Sequence, residues 1–295
     1  FFALWGDKLE TEISALNQIA PVDVRVNTLK TTTEAAKSEL KSQFIETEYT
    51  PLSPIGLRLI SKARLGGTKA FRNGLVEVQD EGSQILALLC GAKPGMLVID
   101  YCAGAGGKTL ALAASMGSNR RIDGQLFACD ISQNRINRME SRLKRAGATD
   151  VRRHALMGPD DSWLKKVDRS ADRVLVDAPC TGTGAWRRDP NAKWHFTPEN
   201  LADICAQQKT IFSDAAKLVK SGGRLIYATC SLLHEENEQQ LFDFLKNHTD
   251  FNLVPIDQVW SETIGGTPPP TGSFLRLSPA STGTDGFFCT VLERT

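Results

Sequence analysis

From about residue 79 onward, short apolar runs alternate with amphipathic stretches, and this alternation narrows the possible folds more than any other feature of the chain. The spacing predicts a helix over 80–91, a short buried strand at Leu97-Val98-Ile99 and, after glycine-rich sequence, an alanine-rich helix to about 116. A second strand over 125–129 ends at Asp130. Ser132 then caps a helix whose Ile136, Met139, Leu143 and Ala146 share a face, with Gly147 as its stop. The series continues with a strand near 151–154, another at Val174-Leu175-Val176, and a long helix opening at Thr197-Pro198. A strand over 224–228, a helix over 235–247 and a closing strand over 286–292 complete it, and the Pro-, Gly-, Ser- and Thr-rich stretch 262–285 reads as a long loop. Such alternation builds a largely parallel sheet with helices on both faces, which binds ligands beyond the carboxyl ends of its strands. Asp100, Asp130, Asp177, Cys180 and Cys230 all fall at or just after expected strand ends, so they should converge on one edge.

The first 78 residues follow another pattern. Leu9, Ile13, Leu16 and Ile19 space a helix that Pro21 ends; a strand at 22–26, a helix over 32–42 and strands over 44–50 and 56–60 follow. The expected division is a small N-terminal α+β domain over 1–78 and an α/β domain over 79–295. Between 58 and 72 the chain carries Arg58, Lys62, Arg64, Lys69 and Arg72 without one acid. That run is either a solvated surface or a strip that gains affinity for phosphates by displacing their counterions. The five basic residues between 135 and 145 read as the solvated face of their helix.

A net charge of +1 argues against a bulk nucleic-acid binder and leaves room for a local basic patch. No apolar run reaches 18 residues, so no membrane helix is expected. The chain opens on Phe1-Phe2 without a methionine and reads as a piece of a longer polypeptide. Its seven cysteines form no C-x-x-C pair and its four histidines lack ligand spacing, so no metal is expected. The expectation is a cytoplasmic monomer with reduced thiols. No G-x-S-x-G elbow is present, which removes one hydrolase class.

Three motifs carry the chemistry. Asp100-Tyr101-Cys102-Ala103-Gly104-Ala105-Gly106-Gly107-Lys108-Thr109 places glycines between a strand and a helix, where backbone amides can approach a ligand. It is no Walker A loop, because Cys102 stands where that pattern needs glycine. Asp130, at the next strand end, can accept both hydroxyls of a ribose. These two features fit an adenosine-containing cofactor, either NAD or S-adenosylmethionine. The second motif is Asp177-Ala178-Pro179-Cys180, leading into a small-residue loop with Arg187, Arg188 and Lys193 between two tryptophans; the third is Thr229-Cys230-Ser231. Two thiols at one sheet edge suggest covalent chemistry, with positive charge near the reactive thiolate. The basic loop is the candidate source of that charge.

Together these motifs resemble the NOL1/NOP2/Sun family of RNA cytosine-5 methyltransferases. Val24-Arg25-Val26-Asn27-Thr28-Leu29-Lys30, Val78-Gln79-Asp80-Glu81-Gly82-Ser83-Gln84 and Thr284-Asp285-Gly286-Phe287-Phe288 resemble further signatures of that family. The resemblance implies a Rossmann-like class I methyltransferase fold, S-adenosylmethionine as donor, and a small domain that helps hold RNA. Carried over by position, Cys102, Ala103, Gly104, Ala105, Gly106, Gly107, Lys108, Asp130 and Asp177 bind the cofactor. Asp177 also faces the target base, Cys230 is the nucleophile and Cys180 assists release. Relatives place an acid after the third strand; this chain has none there until Asp160 and Asp161. The implied partner is a single-stranded or loop segment of RNA, ribosomal RNA first and transfer RNA as the alternative. From the residues alone, an NAD-dependent oxidoreductase explains the glycine loop and Asp130 but leaves both thiols idle. A non-catalytic RNA-binding module leaves Cys230 and Asp177 without a role.

Overall fold

The computed structural model describes residues 1–158, 161–270 and 272–295, apart from the side chains of Phe2 and Ala3. A small antiparallel sheet comes first. It is made of β1 (Asp23–Val26), β2 (Thr47–Tyr49), β3 (Gly56–Leu59) and β4 (Val76–Val78), in the order β2-β3-β1-β4. Val24, Val26, Leu57 and Val76 pack on Ala36 and Leu40 of the helix Thr33–Ser42, which Thr32 caps.

The second sheet follows β5 (Leu97–Asp100), a two-stranded excursion β6 (Gly117–Ser118) and β7 (Arg121–Ile122), then β8 (Gln125–Asp130), β9 (Arg152–Ala155) and β10 (Ala171–Asp177). It ends with β11 (Val219–Thr229), β12 (Phe251–Val254), β13 (Leu275–Leu277) and β14 (Phe287–Arg294). The order is β12-β14-β11-β10-β5-β8-β9, with β13 also on β14. From β9 to β11 every pair is parallel, while β14 runs antiparallel to its neighbours. The chain goes from β5 out to β8 and β9, then returns to β10 on the other side of β5. The reversal leaves a crevice above β5 and β10 where a ligand can sit. This is the expected Rossmann-like α/β fold with a small N-terminal domain.

Apolar faces cover the sheet on both sides. Leu86, Leu89, Leu110, Met139 and Trp260 belong to one core; Phe212, Tyr227, Leu241 and Phe244 belong to the other, with Phe212 stacked between Tyr227 and Phe244. The helix Gln133–Ala146 has both predicted caps, Ser132 and a left-handed Gly147. The signature at Val24–Lys30 forms the seam between the two sheets. Asn27 donates to the carbonyls of Gly74 and Ala146, Lys30 to those of Asn73 and Arg145, and Thr28 to that of Ala114.

Several expectations fail. The stretch 262–285 is not one loop: it contains the end of the helix Ile256–Thr263, then β13 and the helix Pro279–Thr282. Leu275 and Leu277 are buried there against β14, which outweighs the loop-like composition. The strand β11 starts at Val219 because residues 220–223 bulge out around Gly222, held at φ +70°. The long helix is spaced for a buried stripe of Leu201, Ile204, Ile211, Ala215 and Leu218; Ala215 and Leu218 are buried, as are Gln208, Phe212 and Ala216, whereas Leu201, Ile204 and Ile211 are half-exposed. Finally, the helix expected over 235–247 is broken. A 3-10 turn at His234–Glu236 precedes Glu238–Asn247, and Asn237 between them lies outside helical geometry.

Candidate active site

After β5 the backbone turns sharply. Gly104 and Gly106 take left-handed conformations, and a Cβ on Gly106 would stand 2.5 Å from the Met139 side chain. The turn is tied to β8: the Gly104 amide donates to Asp130 Oδ2 at 2.9 Å, and the Ser132 amide to Oδ1 at 2.8 Å. Each oxygen of Asp130 keeps a lone pair for a further donor. Asp130, Cys102, Tyr101, Leu156, Asp177 and Pro179 are among the residues around a cleft of about 420 Å³ above the switch point. Of the residues assigned to the cofactor, Cys102, Asp130 and Asp177 stand on its wall, and Ala103, Gly104, Ala105, Gly106 and Gly107 build the turn that follows Cys102.

Lys108 goes elsewhere. Its buried Nζ meets Asp177 Oδ2 at 2.6 Å. Burial opposes its charge, but the Asp177 carboxylate outweighs burial and the net effect holds its pKa up. The two motif thiols meet on the same edge, with Cys180 Sγ and Cys230 Sγ 3.3 Å apart. Their environments push them in opposite directions. The hydrogen bond from Cys180, aided by the Lys108 charge, lowers the Cys230 pKa against burial and Asp177. Cys180 is pushed well up by the same hydrogen bond and by burial. One thiol donates, and the other is the better thiolate.

A family model described as 16S rRNA methyltransferase RsmB/F matches residues 87–293. The chain belongs to the RsmB/F methyltransferase family. A second model, an RsmF/B-like ferredoxin-like domain, matches residues 2–65. The probable ribosomal RNA small subunit methyltransferase B of Synechocystis is 34% identical over 300 residues, covering 100% of this chain and 65% of the relative. The crystal structure of PH0851 is 31% identical with a TM-score of 0.89, covering 99% of this chain and 64% of that one. A methyltransferase homolog from Pyrococcus horikoshii is 27% identical with a TM-score of 0.83, covering 100% of this chain and 93% of that one. This RsmB/F chain thus spans just under two thirds of the length of the first two.

In this RsmB/F chain the loop arginines do not serve the thiols. Arg187 and Arg188 both bind Asp285 and Asp80, joining the loop after Cys180 to two distant signatures. Lys193 lies beside Asn17 and Trp194. The positive charge felt by Cys230 is that of Lys108. Asp100 also leaves the site: fully buried, it accepts from Thr109 at 2.6 Å, and burial raises its pKa to about 7. Asp160 lies outside the described residues. Asp161 caps the helix Ser162–Lys166, where the Met157 and Trp163 amides hold its pKa down to about 2. The basic strip loses Arg58 to a two-bond pair with Asp23, while Lys62, Arg64, Lys69 and Arg72 are exposed. Nor is the helix 133–146 merely solvated by its bases: Arg142 and Arg145 both bind Glu77 of β4.

Sequence reasoning missed Glu236 and Asn237. Both are fully buried against the two cysteine loops. Asn237 accepts from Thr229 at 2.6 Å and donates to the Ser231 carbonyl at 2.9 Å, so it brackets Cys230. Acids and amides at a helix start normally face solvent, and nothing local marks these two as buried. Among the described residues no cluster of His, Cys, Asp and Glu could hold a metal, and no helix is long and apolar enough to cross a membrane.

Proposed function

We propose that this chain methylates carbon 5 of a cytosine in RNA, with S-adenosylmethionine as donor and small-subunit ribosomal RNA as substrate. The observation that carries the reading is the 3.3 Å meeting of Cys180 and Cys230 beside the Lys108–Asp177 pair. The cleft fits the cofactor: Asp130 offers free lone pairs at one part of its wall for ribose hydroxyls, and Asp177 and Pro179 stand on the same wall near the thiols. When bound there, the cofactor supplies an electrophilic methyl group.

The residues divide the remaining work. Carbon 5 of cytosine is a poor nucleophile until a thiolate adds at carbon 6. Cys230, the lower of the two thiols, makes that bond, and electrons move through the ring toward nitrogen 3. Asp177 faces nitrogen 3, and the Lys108 ammonium, 2.6 Å from Asp177 Oδ2, offsets the charge that develops there. Once carbon 5 has taken the methyl group and S-adenosylhomocysteine is left, a water molecule accepts the carbon-5 proton; that electron pair re-forms the 5,6 double bond, the carbon 6–sulfur bond breaks and Cys230 leaves as thiolate. Cys180, protonated and adjacent, serves that release half. The base must be unstacked to reach both thiols, so a single-stranded or loop segment is the substrate. Residues 1–78 are read as the unit that helps hold RNA, with exposed Lys62, Arg64, Lys69 and Arg72 as phosphate contacts, and 79–295 as the catalytic unit. The protein is read as a cytoplasmic monomer.

The test is methyl transfer from labelled S-adenosylmethionine to small-subunit ribosomal RNA and to transfer RNA, followed by nucleoside mass analysis. 5-methylcytidine in the ribosomal RNA alone is the expected product. Another methylated nucleoside would remove the cytosine reading, and label in transfer RNA would move the substrate. Stabilisation against heat by S-adenosylhomocysteine is also expected; stabilisation by NAD instead would restore the oxidoreductase.

A further inference from the structure

Strand pairing between β10 and β11 ends at Asp177 and Ala228, before either thiol. Something beyond the sheet must therefore hold Cys180 and Cys230 at 3.3 Å. The residue after each cysteine is tied to one carboxylate. Glu236 Oε1 accepts from the Thr181 amide at 2.8 Å and from Gln208 Nε2 at 3.0 Å. Its Oε2 accepts from the Thr181 hydroxyl at 2.5 Å and from the Ser231 hydroxyl. Gln208 also donates to the Pro179 carbonyl, just before Cys180, at 2.9 Å.

These four donors are uncharged, and Glu236 is fully buried. A buried carboxylate is costly unless its lone pairs are all met. Four donors converging on one side chain need four acceptor sites, which a carboxylate has and an amide lacks. The backbone explains why Glu236 can reach: the break at Asn237 turns Glu236 inward, and Tyr227 donates to the Glu236 carbonyl at 2.8 Å.

We propose that Glu236 is a positioning residue for the two-thiol chemistry: its carboxylate sets the spacing of Cys180 and Cys230 by holding the residue that follows each. This rests on the reading of those thiols given above. Glu236→Gln keeps the shape but turns one acceptor into a donor; the hydroxyls of Thr181 and Ser231 can rotate to accept, so the fold persists while the clamp loosens. Ser231→Ala cuts one arm and leaves the carboxylate.

The experiment uses the whole chain and two readouts. In the first, without RNA, diamide oxidises the thiols: it takes two electrons and two protons as one S–S bond forms, and peptide mass mapping reports the Cys180–Cys230 bond. The rate should fall about tenfold in Glu236→Gln and by a smaller factor in Ser231→Ala, with S-adenosylhomocysteine affinity within about twofold of the parent, because misplacing reacting atoms removes effective molarity. Equal rates in the parent and Glu236→Gln would overturn the proposal. In the second, kcat for methyl transfer should drop roughly 10- to 100-fold in Glu236→Gln while KM for RNA stays within about twofold. An unchanged kcat would overturn it as well. If the parent forms no 5-methylcytidine, the functional reading fails and the diamide rates alone decide the role of Glu236.

Discussion

Two turns on one sheet edge, residues 100–108 after β5 and 229–237 after β11, each present a half-buried cysteine just past a strand end. Their chemistry is opposite. Cys102 is pushed well up by burial and then by Asp100, Asp177 and Asp130. Cys230 is lowered, because Cys180 donates to it and Lys108 stands near. The first turn offers backbone amides and carboxylates, and on the proposed function it is the turn that binds the cofactor. The second offers the thiol with the lowered pKa, and on the proposed function it is the turn that reacts. Lys108 belongs to the first turn by sequence and to the second by the direction of its side chain. Position at a strand end therefore brings a residue to the site, and only its neighbours decide what it does there.

The largest effect separates the thiol of the second turn from Cys180, its neighbour in the loop after β10. Cys230→Ala should lower methyl transfer at least about a thousandfold, since it removes the attacking atom. Retained turnover would move the nucleophile to Cys180. Cys180→Ala should also stop turnover, yet leave Cys230 bonded to RNA, visible as a slow band on denaturing gels. Lost turnover without that band would remove Cys180 from the release step.

Lys108→Met breaks the link between the turns. Turnover should fall about 100-fold, and the pH profile for alkylation of Cys230 should move to higher pH, because the thiolate loses a nearby positive charge. Arg187→Met is the matched control from the loop that looked basic in sequence. It should leave that profile in place and instead cost about 3–5 kcal/mol of stability, because Asp285 and Asp80 would be left buried with less compensation. If Arg187→Met shifts the alkylation profile as Lys108→Met does, the division of charge between the turns is wrong.

Much of this organisation was legible in the chain. Apolar periodicity and local caps report local structure, so the helix Gln133–Ala146 was readable at both ends, from Ser132 to Gly147. Strand ends could be placed, and Asp130, Asp177, Cys180 and Cys230 do come together. What was not legible depends on partners far along the chain. Arg187 meets Asp285, 98 residues away, and Lys108 meets Asp177, 69 away. Glu236 looked like a solvent-facing helix residue because the break at Asn237 has no sequence mark. The antiparallel closing strand β14 and its partners β12 and β13 are likewise set by packing between distant segments.

The smallest effect tests the binding turn alone, through Asp100. In the folded chain its carboxyl titrates at about 7, raised by burial against the bond from Thr109, while the ordinary value is 3.8. Between those values the folded chain binds the extra proton and the unfolded chain does not. Stability from this group is therefore present below about pH 4 and is lost as pH rises through 7, a change on the order of 4 kcal/mol at most. Asp100→Asn keeps an acceptor for Thr109 and cannot titrate. The fall in melting temperature between pH 5 and pH 8 should be several degrees smaller in the variant than in the parent. Parallel pH curves for the two would mean that Asp100 is already ionised where it lies. The binding turn would then hold its buried carboxylate by the Thr109 bond alone, and burial would not be what separates it from the reacting turn.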